Sequence, residues 1–304
     1  MAYELKRDIY QTITDKVIAD LERGVRPWHR PWTGGNAPSS RPLRSNGILY
    51  QGINVLLLWI EASLKGYSSP TWMTFKQALA VGGCVRKGEK GSMVVYANAI
   101  TKTETDTVTG ADTERRIPFL KSYTVFNVAQ IDGLPAVPAP AEPSDRLTDA
   151  DRIEVAEAFF AKVGAELRHG GMRAYYAPSA DTITLPPFAA FESPISYYAT
   201  LGHECVHWTG HRTRLDRLET APKGSDPYAR EELVAELGAA FLCADLQLTD
   251  EPREDHASYL ASWLKVLRED KRAIVTAAAA AQRATTYLHE RAGTVAQAED
   301  SEAA

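Results

Sequence analysis

Residues 203–207 read His-Glu-Cys-Val-His, and that spacing dictates local structure. Side chains four apart share one face of an α-helix, so His203 and His207 can offer two imidazoles to one ion only if the segment is helical. Glu204 then lies about 100° round the helix, beside the ion, where its carboxylate can take a proton from a water that the ion activates. The flanks suit a mostly buried helix: Tyr197-Tyr198-Ala199-Thr200-Leu201-Gly202 precede, Trp208 follows and Thr209-Gly210 close it. The predicted helix runs from Ser196 to Thr209. Two core histidines satisfied by neighbours are the bland alternative, and a third ligand decides between them.

One candidate for that ligand fails. A metzincin pattern needs Gly at 210, which is present, and His at 213, where this chain has Thr213. His211 stands at the wrong spacing and is read as a surface or substrate-side residue. Downstream, Tyr228-Ala229-Arg230-Glu231-Glu232-Leu233-Val234-Ala235-Glu236 offers acids on a predicted helix from Arg230 to Leu246. Glu232 and Glu236 share a face there with Ala239 and Ala240, small residues that allow close approach. This pair resembles the Glu-x-x-x-Asp pattern of gluzincin peptidases. The resemblance implies that Glu232 is the third ligand and that Glu236 orients a ligand imidazole. Glu231 is expected to point elsewhere, as a solvated acid at a helix start. The expected cofactor is one divalent ion, most simply Zn2+, with Mn2+ the alternative. His256 and His289 lack ligand spacing and read as structural or surface residues, and Cys205 as a packed thiol.

Charge divides the chain. Residues 1–130 hold 17 Lys+Arg against 11 Asp+Glu, a surplus of +6; residues 131–304 hold 17 against 28, or −11, which together give the net −5. Between them the stretch GLPAVPAPAEPSD, residues 133–145, carries four prolines and reads as a semi-rigid linker. The expected organisation is therefore α+β in two domains: a small α+β domain over 1–132, the linker over 133–145, and a mainly helical domain over 146–304. No stretch of eighteen apolar residues exists, so a membrane span is not expected. The first residues lack the apolar run of a secretion signal, and three scattered cysteines make no disulfide framework, so a cytoplasmic location is expected. Oligomeric state is left open.

In the first half, residues 4–23 show helical apolar spacing. Gly52 to Leu64 and Trp72 to Val81 are helix candidates, the former open to reading as a buried strand. Met93 to Ile100 and Ser122 to Val128 are β-rich, with the polar stretch 101–116 expected as a long hairpin loop. In the second half, Thr148 to Ala165 reads as a helix, Ala174 to Leu185 as a strand pair, and Ala257 to Leu288 as one or two helices. Between Arg23 and Lys90 stand ten basic residues and two acids, Glu61 and Glu89, interleaved with aromatics. Cations can track a phosphate backbone while exposed rings stack on unpaired bases. The candidates for contacting single-stranded DNA are Arg26, Trp28, Arg30, Arg44, Tyr50, Trp72, Arg86, Lys87 and Lys90, with glycines at 82, 83, 88 and 91 shaping a tight turn beneath the last three. The competing reading of the tryptophans, including Trp32 and Trp59, is core.

Longer motifs, in order, carry a wider resemblance. They are Asp8-Ile9-Tyr10, Pro27-Trp28, Tyr50-Gln51-Gly52-Ile53-Asn54, Val85-Arg86-Lys87-Gly88-Glu89-Lys90-Gly91, Thr124-Val125-Phe126-Asn127, the His203 to His207 motif, Glu231 to Phe241, and Ala257 to Lys265. Over nearly all of residues 5–290 the chain resembles the ArdC-type antirestriction proteins. That resemblance implies an N-terminal domain binding single-stranded DNA, a C-terminal zincin-like domain, and a role in shielding incoming plasmid DNA from restriction. A host restriction enzyme or another protein is the implied target of any peptidase activity. The contrasting expectation is a non-catalytic DNA-coating protein whose metal is structural.

Overall fold

The computed structural model describes residues 8–25, 28, 41–105, 112–134, 149–219, 221–222, 224–248 and 257–294. Arg26, Arg30, Trp32, His256 and all but the first two residues of the expected linker lie outside them. Among the described residues no helix is long and apolar enough to cross a membrane.

Helix α1 (Ile9–Glu22) starts where Asp8 accepts from the Gln11 amide, and it buries Ile13, Val17 and Leu21 at helical spacing. Helix α2 (Ile53–Lys65) is buried nearly all round from Ile53 to Ile60, which is why its sequence could also be read as a strand. It stops at Gly66, whose φ of 68° is left-handed. The expected helix from Trp72 to Val81 is instead strand β2 (Thr71–Met73) followed by helix α3 (Phe75–Ala80). Thr74 and Gln77 form a reciprocal capping box, and a cap residue is extended, so the helix cannot begin before it.

Strands β1 (Leu43–Arg44), β2, β5 (Asp112–Asn127) and β4 (Ser92–Thr105) form a sheet in the order β1-β2-β5-β4, while β3 (Cys84–Val85) pairs with β6 (Ile131–Asp132). Residues 101–105 and 112–116 of the stretch expected as a loop continue the β4–β5 ladder instead, from Thr101 opposite Arg116 to Thr105 opposite Asp112; residues 106–111 lie outside the described ones. Once apolar alternation fixes the register, main-chain hydrogen bonds extend the pairing regardless of side-chain polarity.

The second half opens with α4 (Asp149–Val163) and a three-stranded sheet, β7 (Glu166–His169), β9 (Thr182–Leu185) and β8 (Tyr175–Ala177), with β8 at the edge. Helices α5 (Pro194–Thr209), α6 (Asp226–Asp245), α7 (Ala257–Glu269) and α8 (Ala273–Ala292) follow. These are two domains of an α+β protein, yet one apolar core runs through both. The Trp28 and Trp263 rings meet edge-on at 5.5 Å, and Trp59 meets Phe241 at 5.9 Å. Arg41 is 3% exposed: it binds Asp245 at 2.7 Å and Gln282 at 2.8 Å, with its guanidinium over the Phe241 ring. A residue from the basic stretch is thus spent on a buried pair rather than on the surface.

Candidate metal centre

Two serine-capped helices with proline in their first turns build the site. Ser193 caps α5, with Pro194 at its first position, and Ser225 caps α6, with Pro227 in its first turn. On α5 every residue from Tyr197 to Thr209 except His207 is buried. The helices approach closely at Gly238. A Cβ there would stand 2.6 Å from a Val206 methyl carbon. Glycine lets α6 approach closely enough for its acids to reach the α5 histidines.

The His203 and His207 Nε2 atoms are 3.2 Å apart, and the Glu232 carboxylate stands 3.5 Å from the first and 3.6 Å from the second. Ligand atoms of these three residues all lie within 4.8 Å of one another, the one such group among the described residues. Each imidazole turns its other nitrogen toward an acid. His207 Nδ1 is 3.1 Å from Glu231 Oε1, and His203 Nδ1 is 3.6 Å from Glu236 Oε2. A carboxylate at Nδ1 favours the tautomer that leaves Nε2 as the donor to an ion. Two imidazoles and a carboxylate with this backing fit a divalent ion of the zinc type.

Burial pushes the Glu232 carboxyl up, but the neighbouring imidazoles of His203 and His207 and the Tyr228 hydroxyl outweigh it and hold it at about 2. Glu231 is likewise pushed up by burial and held lower by His207 and Arg217. It is not a solvated helix-start acid. Arg217 grips it through two bonds of 2.8 and 2.9 Å, and the same guanidinium donates to the Val206 carbonyl at 2.7 Å, on the last turns of α5. Spacing could not reveal Arg217, because it arrives from the loop after α5.

Glu204 is 4% exposed and lines, with the three ligand candidates, an open cleft of about 1390 Å³. Tyr228 and Arg217 also line it, as do Tyr175 and Tyr176 of the edge strand β8. Burial and the Tyr259 hydroxyl, 3.2 Å away, push the Tyr228 phenol upward and keep it neutral. His211 bonds Thr213 at 2.8 Å and is not among the cleft-lining residues. His289 bonds Asp245 and Thr294, a structural role, and burial raises the Cys205 thiol within the core.

The basic half departs further from expectation. Trp28 and Trp72 are each 1% exposed, so neither ring is available to stack on a base. A small domain must enclose its largest rings, and these two are enclosed. Tyr50 is also buried, with Arg44 over its ring at 5.6 Å. Arg86 is exposed but engaged: it bonds Glu89 at 2.9 Å and the Ala129 carbonyl at 2.6 Å. Lys87 and Lys90 are exposed on the turn. Phe75, which is not among the candidate contacts, presents an exposed ring, 48% exposed and edge-on to Phe126. The capping box was the available signal, since it places Phe75 at the first position of α3.

The fold and site define a zincin-like domain joined to a smaller α+β domain. A family model described as a zincin-like metallopeptidase matches residues 154–280, and one described as the N-terminal domain of anti-restriction factor ArdC matches residues 7–126. Crystal structures of the antirestriction ArdC protein from R388 plasmid are similar over nearly all of the chain at 45% sequence identity. The metal-free form has a TM-score of 0.78, covering 95% of this chain and 99% of that one. The Mn(II)-bound form has a TM-score of 0.76, covering 94% and 98%. An uncharacterized protein of Sinorhizobium fredii, y4eC, is 42% identical over 93% of this chain and 92% of its own. An Escherichia coli DNA primase, TraC, is 39% identical over 94% of this chain, which spans only 27% of the primase. The chain belongs to the ArdC antirestriction family.

Proposed function

We propose that this protein is a metal-dependent peptidase coupled to a single-stranded-DNA-binding domain, acting to protect plasmid DNA from restriction. The observation that carries the peptidase half is the convergence of His203, His207 and Glu232 at an open cleft that Glu204 also lines. Structural zinc sites are closed by four protein ligands, whereas catalytic ones keep three and an open position. That difference favours catalysis over a purely structural metal. Zn2+ is the expected ion; the relative's Mn(II) complex keeps manganese as the alternative.

A bound divalent ion supplies Lewis acidity, lowering the pKa of a water toward roughly 7 and polarising a carbonyl. The chain's own residues do the rest. Glu204 receives the proton of the attacking water and passes it to the leaving amine. Tyr228, held neutral, donates a hydrogen bond to the oxygen that becomes negative. The strand β8, which among the described residues pairs only with β9, offers an extended peptide a main-chain edge beside the site. In the other half, Lys87, Lys90 and Arg44 supply cations for a phosphate backbone, and Phe75 a ring for a base. Those residues replace the buried tryptophans as the proposed DNA contacts.

Glu204→Gln separates the readings. Metal uptake is expected unchanged, with hydrolysis of a peptide library lowered at least 100-fold. Undiminished hydrolysis would remove Glu204 as the base, and full antirestriction in the variant would show that proteolysis is not the protective mechanism.

A further inference from the structure

Trp28 belongs to the basic N-terminal half, but its indole reaches the metal centre. Its Nε1–H donates to Glu236 Oε1 at 3.2 Å, a buried bond spanning 208 residues of sequence. The other oxygen of Glu236 faces His203 Nδ1 at 3.6 Å. Glu236 and His203 are 8% and 5% exposed, so water does little to steady this carboxylate. The ring itself is fixed edge-on against Trp263, which stacks in turn on Tyr259 at 5.9 Å.

We propose that Trp28 is a positioning residue of the metal centre, contributed by the N-terminal half, and that it acts by holding Glu236 against His203. A hydrogen bond to Oε1 restricts rotation of the carboxylate about its last torsions. Fixing Oε1 leaves Oε2 a single place, and that place sets the tautomer and plane of a ligand imidazole. The centre is therefore assembled from both halves of the chain. Rings this deeply buried are ordinarily explained by packing alone. Packing does not require the nitrogen edge of the indole to meet the acid that faces His203 Nδ1. The inference rests on reading the site as a metal centre.

The test measures Zn2+ and Mn2+ dissociation constants of the full chain by competition with a chromogenic chelator. Trp28→Phe keeps a buried ring and removes only the N–H and one ring's width. It is expected to weaken Zn2+ binding about threefold to tenfold, below the roughly 10–100-fold loss typical when a directly facing carboxylate is removed, as in Glu236→Ala. The double variant should bind no more weakly than Glu236→Ala alone, because both changes act through one carboxylate. A packing role would instead make the losses multiply, and that result, or wild-type affinity in Trp28→Phe, overturns the proposal. Circular dichroism of the metal-free proteins checks that each variant is folded. Should Trp28→Phe not fold, Glu236→Gln carries the test: it leaves the indole an acceptor but discharges the group facing His203. An affinity loss of about tenfold supports the proposal, and none overturns it. Wild-type protein that takes up neither ion would overturn the metal reading itself, and this inference with it.

Discussion

The two halves of this molecule use charge in opposite ways. In the second half, Glu231, Glu232 and Glu236 turn inward and converge on two histidines. In the first half, Lys87 and Lys90 stay outside while the aromatic residues once grouped with them, Trp28, Tyr50 and Trp72, go into the core. A site built on helical spacing is constrained by geometry that the sequence spells out. A surface that tracks a flexible polyanion needs only charge, so its sequence carries no register by which individual contacts can be identified.

The largest test of this contrast is Glu232→Ala. Removing a ligand atom should weaken metal binding by well over 100-fold, beyond what loss of an outer partner costs, and equilibrium dialysis with metal analysis would register it. A variant that binds metal normally would remove Glu232 as the third ligand and make Glu236 the next choice. Arg41→Ala probes the seam where the contrast breaks down, since a basic residue of the first half is buried against Asp245 and Gln282 of the second. Breaking this buried pair, with His289 left as the remaining partner of Asp245, should cost about 3 kcal/mol in chemical denaturation, and a cost under about 1 kcal/mol would mark the pair as peripheral.

Glu231→Gln comes next. It should weaken metal binding by about 10–100-fold while thermal stability changes little, because Arg217 keeps an amide oxygen to bind. Equal metal affinity would reduce Glu231 to a clamp for the loop after α5. The smallest expected effect lies on the basic surface. Lys87→Glu with Lys90→Glu should weaken binding of a single-stranded oligonucleotide about tenfold and lower its salt slope by roughly 1.4, as expected for two phosphate contacts. Metal affinity should stay unchanged, and an unchanged salt slope would move the DNA surface elsewhere.

Much of the site was legible because the relevant information is local. The four-residue spacing of His203 and His207 and the matching spacing of Glu232 and Glu236 put the right atoms on helical faces before any fold was known. α5 and α6 start at Pro194 and Asp226, ahead of the expected Ser196 and Arg230, because Ser193 with Pro194 and Ser225 with Pro227 are starting signals in themselves. Failures came where a neighbour decided. Residues 101–105 and 112–116 became strand because each had the other to pair with. Trp72 went into a strand because Thr74 caps the helix after it.

By itself, then, the sequence determined that a two-histidine helix would exist, that an acid-bearing helix would follow, and that charge would separate between the halves. Only the tertiary structure decided which acids meet which imidazoles. Glu231 and Glu232 are adjacent in sequence and about 100° apart on a helix, so their roles depend on where α5 lies against them. The contact of Gly238 with Val206 sets that position. The tertiary structure also decided that a tryptophan from the basic half would end beside Glu236. No periodicity can encode a contact between residues 208 positions apart, because only the packing of one shared core brings them together.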